Sequence, residues 1–334
     1  MDIEQIIPNY TVADIAKKIS KIIEPGNCVA WIGSGFTKLA GYPSLYKLVM
    51  NLIDSCYSNN SKSAKDLKKQ LDDKILTEYE IAEKCFDSGK NQKKYYECLE
   101  KQFEKNNITR EGITTLAKLP FKAYITTNYD SKLPNAIDVE LSYNAKVFVG
   151  KQSKYSEISK HTKPVFCIHG LVDFKSIGDP KTIVLKESDF SRGYEDIKTF
   201  IKDVLIKEQV VFLGCKLEES IMREIFNEID EVPKKKKFCI LSKTSENDAE
   251  IALLKNSPDI KIDEKSDEEK QKLINEQRKI MDKNHAKRFD KINAITFAYE
   301  PEKPSYHDEI ETLLELINRN CLDKVRIKQK ELIV

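Results

Sequence analysis

The 334-residue sequence has no apolar run of the roughly 18 or more residues that a membrane-spanning helix requires. Its start, MDIEQIIPNY, has neither a basic n-region nor an apolar h-region, so no secretory leader is expected and the chain reads as cytoplasmic. An excess of one charge is missing too. The 56 basic and 54 acidic side chains leave a net +2, so no overall field draws the molecule to nucleic acid or anionic lipid, and any such partner must use a local patch. Neither a membrane nor a direct nucleic-acid partner is expected. Closely spaced cysteines are absent as well: Cys28, Cys56, Cys85, Cys98, Cys167, Cys215, Cys239 and Cys321 are never closer than thirteen apart. No C-x-x-C pair exists to hold zinc or run disulfide exchange, and no metal is expected. The simplest reading is buried thiols in a reducing compartment. No repeat or low-complexity tract is present.

What is present is alternation. TVADIAKKISKII reads as a helix with Thr11 as N-cap and Ile15, Ile19, Ile22 and Ile23 on one face, stopped by EPGN. CVAWIG is too short for a helix and uniformly apolar, which suits a strand buried on both faces of a sheet. From Ser44 to Lys118 the periods are helical. Strand patterns then resume at 122–128, 145–150, 164–170, 181–186, 210–214, 237–242 and 293–299, several separated by helix-length segments. Short apolar strands alternating with helices predict an α/β fold: a doubly wound, mostly parallel Rossmann-like sheet with a helical insertion. The expected organisation is an N-terminal helix in 1–27, the sheet domain in 28–43 and 119–325, the insertion in 44–118, and a C-terminal tail in 326–334. The charge-rich stretch 246–290 reads as a solvated helical excursion, and KKKK at 234–237 as an exposed lead-in to a strand.

Ligands in open α/β sheets sit outside the carboxyl ends of strands, where a glycine turn lets backbone N–H groups approach a phosphate. Gly33 and Gly35 fit that description. The G-x-G-x-x-G fingerprint is nevertheless broken, with Lys38 in the third position, and no P-loop occurs. A tight structural turn explains GSG as well as a phosphate site does. Three more strand ends sharpen the pattern: ITTNYD puts Asn128 and Asp130 past one strand, FCIHG puts His169 and Gly170 past another, and VVFLGC puts Gly214 past a third. Singly, each is an ordinary turn residue. Together, they put groups that orient, ionise or permit close approach at several carboxyl ends.

In order and approximate spacing, GSGFTKLAGYPS, TTNYD, IHG and FLGC resemble the sirtuin-like domain, in the divergent bacterial form found in antiphage NADases such as the Thoeris effector and the sirtuin-like partners of HerA-type ATPases. The likeness runs from about Ile22 to Cys321. It implies NAD+ as substrate, a homo-oligomer, and a HerA-type ATPase or other defence partner. It further implies that Gly33, Ser34, Gly35, Phe36, Thr37 and Pro43 form the dinucleotide loop, with Thr127, Gly170, Gly214 and Cys215 also touching the dinucleotide. Asn128, Asp130 and His169 take the catalytic roles. Departures accompany the likeness: the glycine motif's Tyr-Ser is Cys215 and Lys216 here, the loop proline is followed by SLYK without the arginine of protein deacylases, and no cysteine pair begins a zinc ribbon.

Cleaving the nicotinamide–ribose bond passes through an oxocarbenium-like state, and the base leaves neutral from a cation, so the site must hold and polarise rather than protonate. Asp130 supplies grip or negative charge, Asn128 orients a ribose hydroxyl or water, and His169 accepts a proton. The expected activity is NAD+ glycohydrolysis to nicotinamide and ADP-ribose, depleting NAD+ in antiphage defence by abortive infection. The alternatives are a non-catalytic NAD+ or ADP-ribose sensor or assembly subunit and, less favoured, an NAD+-dependent deacylase.

Overall fold

The computed structural model describes residues 10–34, 42–58, 61–73, 75–87, 92–103, 111–172, 179–191, 194–215, 217, 220–229, 235–242, 246–256, 265–290, 292, 294–299 and 306–331. Helix α1 (Val12–Ile23) opens on a capping box: the Thr11 hydroxyl accepts from the Asp14 N–H at 3.1 Å, and the Asp14 carboxylate accepts from the Thr11 N–H at 3.3 Å. Its buried face carries Ile15, Ile19 and Ile23 at the helical spacing read from the sequence. Gly26, at φ +67°, turns the chain into β1 (Cys28–Ile32), all five residues of which are buried.

The insertion follows as α2 (Leu45–Cys56), α3 (Lys62–Asp72), α4 (Glu78–Asp87) and α5 (Gln92–Phe103), and then comes α6 (Glu111–Lys118). The chain returns through β2 (Ala123–Thr126), α7 (Lys132–Glu140), β3 (Val147–Val149), α8 (Glu157–Lys160) and β4 (Val165–Cys167). After α9 (Glu187–Ser191) and α10 (Glu195–Lys207) come β5 (Gln209–Leu213), α11 (Ser220–Glu228), β6 (Lys237–Ser242), α12 (Glu246–Asn256), α13 (Asp267–Asp290), β7 (Ala294–Tyr299) and α14 (Tyr306–Glu331).

The seven strands form one sheet in the order β3-β4-β2-β1-β5-β6-β7, and every pairing is parallel. Alternate residues of each strand feed two cores, as a sheet covered on both faces demands. Cys28, Ala30, Ile32, Tyr124 and Cys167 pack beneath α1, α6, α7 and α14. Val29, Trp31, Ile125, Phe166 and Phe212 pack beneath α10 and α11. The insertion helices bury a third core of their own, joined by Tyr129, Val172, Ile183 and Leu185. Those four residues lie past the carboxyl ends of β2 and β4, so the insertion sits over that edge of the sheet.

Three expectations change. Residues 181–186 are not a strand: Pro180–Thr182 form a 3-10 turn, and Ile183, Val184 and Leu185 lie outside the ladder with no regular secondary structure. Their apolar side chains are buried in the cores, not paired along a sheet edge. The KKKK lead-in is not wholly exposed, because Lys237 is fully buried as the first residue of β6. Its ammonium donates to the Lys235 carbonyl at 2.6 Å, and burial, opposed by the nearby Glu208 carboxylate, lowers its pKa to about 8. Finally, α14 runs on to Glu331, into the stretch expected as a tail.

Candidate functional site

The strands that carry the motifs, β4, β2, β1 and β5, are four consecutive members of the sheet. Their last rungs are level: Ile32 pairs with Thr126 and Leu213, and Thr126 pairs with Cys167. Gly33, Thr127, Ile168 and Gly214 therefore leave the sheet on one line. With neighbouring strands about 4.8 Å apart, that line extends about 14 Å. The sheet order reverses direction between β1 and β5, where ligands of open α/β sheets bind.

Gly33 donates its N–H to the Leu213 carbonyl at 2.9 Å. A Cβ there would lie 2.5 Å from the Gly214 oxygen and 2.7 Å from the Cys215 Cα. The bareness of the first glycine thus has a local cause: the end of β5 packs directly on it. The Cys215 thiol, buried, turns back to the Trp31 carbonyl at 3.3 Å. Gly214 takes φ +65°. Ser34 is exposed, Pro43 is half-buried, and Thr127 is half-buried with its N–H on the Ile32 carbonyl at 3.3 Å. Gly35, Phe36 and Thr37 lie outside the described residues, as do Lys38 and Lys216.

Past β2, the Asn128 N–H donates to the Thr126 hydroxyl at 3.0 Å, which curls the chain as it leaves the strand. Asn128 is 8% exposed, and its Oδ1 is buried with no hydrogen-bond partner among the described residues. Asp130, 5% exposed, accepts the Lys132 N–H at 3.0 Å, an Asx turn that starts α7. Past β4, His169 is 3% exposed, and its carbonyl accepts the Val184 N–H at 2.8 Å. Its ring stands edge-on to Phe190 at 5.8 Å and tilted to Tyr194 at 6.0 Å. Nε2 has no hydrogen-bond partner among the described residues. Burial lowers the imidazole pKa to about 4, so the ring is neutral at pH 7. Gly170, at φ +94°, is required: a Cβ would meet the Thr182 carbonyl oxygen at 2.3 Å.

A buried polar atom without a partner is costly, and a bound group is one way in which its hydrogen bonding is completed. Asn128 and His169 each carry one, two residues past the ends of strands that pair directly. Sequence reasoning missed the segment that packs against His169 and Tyr129. Tyr129 donates its hydroxyl to the Val184 carbonyl at 3.0 Å, and Phe190 and Tyr194 wall the imidazole. Gly170, the residue next to His169, held the signal, since such bareness implies another chain segment passing close.

Residues 122–276 match the family model of the SIR2-like domain. The chain is 25% identical over 241 residues to the NAD(+) hydrolase ThsA of Enterococcus faecium, covering 69% of this chain and 46% of that protein. It is 22% identical over 249 residues to the NAD(+) hydrolase ThsA of Bacillus cereus, covering 73% and 49%. Against defense-associated sirtuin 2 of Bacillus subtilis it is 22% identical over 226 residues, covering 67% and 21%. The chain therefore spans about half or less of the length of these relatives. Level strand ends, a seven-stranded parallel sheet and these matches agree: residues 122–276 of this chain resemble the SIR2-like domain, and the chain is similar to proteins named NAD(+) hydrolase ThsA and defense-associated sirtuin 2.

Proposed function

We propose that the protein is an NAD+ glycohydrolase that cleaves the nicotinamide–ribose bond with water as acceptor, releasing nicotinamide and ADP-ribose, and that it depletes NAD+ in antiphage defence. The carrying observation is the pair of unsatisfied, buried polar atoms, Asn128 Oδ1 and His169 Nε2, just past the ends of adjacent parallel strands. The names of the similar proteins support the same chemistry.

In this reading, the glycosidic C–N bond breaks with its electron pair returning to the pyridinium, so nicotinamide leaves neutral and needs no acid. Positive charge develops on the ribose, and the carboxylate of Asp130 stabilises it. Asn128 orients a ribose hydroxyl or the incoming water. His169, held neutral by its surroundings, accepts the proton that water loses as its oxygen bonds to the anomeric carbon. The cofactor-side contacts are those implied by the resemblance: Gly33, Ser34, Gly35, Phe36, Thr37 and Pro43, with Thr127, Gly170, Gly214 and Cys215. For Gly33 and Gly170, packing within the protein already accounts for the missing side chain. No metal takes part in the scheme.

Free nicotinamide, measured after incubating NAD+ with wild type, Asn128→Ala and His169→Ala, tests this reading. Each variant is expected to lose at least a hundredfold in turnover. Full activity in His169→Ala would overturn the assignment. Calorimetric binding of NAD+ without turnover would make the protein a sensor, and release of nicotinamide only with an acetyl-lysine peptide would make it a deacylase.

A further inference from the structure

The segment 183–191 crosses over the carboxyl ends of β2 and β4 and supplies the wall of the His169 imidazole. What holds it there comes from the insertion. Glu83 of α4 accepts the Ser188 N–H on one carboxylate oxygen and the Ser188 hydroxyl on the other, each at 2.8 Å. One turn earlier on α4, Tyr79 stands edge-on to Phe190 at 5.1 Å, and Phe190 stands edge-on to His169. A second tie comes from Lys186, which lies 3.9 Å from the centroid of the Phe86 ring and pairs with Asp189 at 3.0 Å.

The five residues of α9 are far too few to hold a helix unaided. Asp189 accepts the N–H groups of Leu185 and Lys186 at 3.1 and 2.9 Å, which shapes the turn but anchors it to nothing outside the segment. Charge-assisted bonds from a single partner that satisfies both carboxylate oxygens are stronger than neutral ones and fix orientation as well. We propose that Glu83 is a positioning residue for the hydrolysis reaction: by clamping Ser188 it holds Phe190 against His169 and so fixes the imidazole for proton transfer. This proposal rests on the reading of His169 as the base.

The test combines hydrogen exchange across 183–191 with kcat and KM for nicotinamide release, in wild type, Glu83→Ala, Glu83→Gln and Asp54→Asn. The last variant removes an ion pair with Lys68 that lies wholly within the insertion. Glu83→Ala is expected to speed exchange in 184–188 at least tenfold with β1 and β2 unchanged, and to lower kcat at least tenfold while KM for NAD+ moves less than threefold. Glu83→Gln, which keeps one acceptor oxygen, is expected to recover at least a third of the lost kcat, and Asp54→Asn to match wild type. Unchanged exchange over 184–188, an exchange increase spread through the sheet, an equal loss in Asp54→Asn, or a rise in kcat would each overturn the proposal. If wild-type protein releases no nicotinamide, the hydrolase reading fails instead, and exchange over 184–188 still decides whether Glu83 is the clamp.

Discussion

His169 is neutral because of where it sits, and that makes its protonation a stability matter as well as one for its proposed role as base. Burial holds the folded pKa at about 4, whereas an unfolded histidine titrates near 6.5. Between those values the unfolded chain binds a proton that the native one refuses, so stability falls as pH drops through this window and is fully present above it. A shift of that size corresponds to about 3 kcal/mol. Urea midpoints at pH 7 and pH 4.5 should therefore differ less in His169→Phe than in wild type; equal differences would mean that the imidazole is not desolvated. For catalysis the same shift predicts that kcat/KM keeps its plateau below pH 6 and turns down only toward pH 4. Gly170 makes a second prediction at this scale. Its φ of +94° and the 2.3 Å approach of the Thr182 oxygen leave no room for a methyl group. Gly170→Ala should cost about 2 kcal/mol or more of unfolding free energy, because the contact is with backbone that cannot swing aside.

Among the elements, those with a local cause could be read from the sequence. Helix α1 was legible because Thr11 and Asp14 form its cap and the isoleucines repeat on one face, both properties of a dozen consecutive residues. The buried central strands were legible because a sheet covered on both sides leaves no polar position in CVAWI. The 181–186 segment was misread because three apolar residues between lysines satisfy a strand pattern equally well when they cross the sheet's end, and only the distant partners Tyr129 and Glu83 decide between the two. The burial of Lys237 was hidden for a similar reason. Its charge is tolerated near Glu208, a residue 3% exposed that also pairs with Lys122 at 2.6 Å and accepts the Tyr155 hydroxyl at 2.7 Å. This cluster lies at the amino ends of β2, β5 and β6, opposite the candidate site. Removing the buried Glu208 carboxylate would leave Lys122, Lys235 and Lys237 without it, so Glu208→Ala should destabilise by about 3 kcal/mol. Nicotinamide release per folded molecule should stay unchanged, as chemical denaturation and turnover measured on one preparation would show.

For the whole molecule, the relation between insertion and sheet matters most. The insertion has its own core, yet Tyr129, Val172, Ile183 and Leu185 belong to it, so it is seated on the edge that carries the candidate site rather than tethered beside it. With Asn128 at 8% exposure and His169 at 3%, a dinucleotide reaches both only if some covering element moves. The insertion and the 183–191 segment are joined by Glu83 and Ser188, so the two are expected to move as one body, parting from Tyr129 and Val172 where these join the insertion core. Contacts between copies of the chain on the insertion would then set the balance between open and closed forms. An enzyme that destroyed NAD+ without such control would poison its own cell, so turnover is expected to depend on assembly, whether into a homo-oligomer or with a partner such as a HerA-type ATPase. Nicotinamide release measured across fractions separated by size should rise with assembly size at equal subunit concentration. A monomer as active as the largest assembly would show that the edge opens without help from a neighbour, and that the insertion does not regulate access.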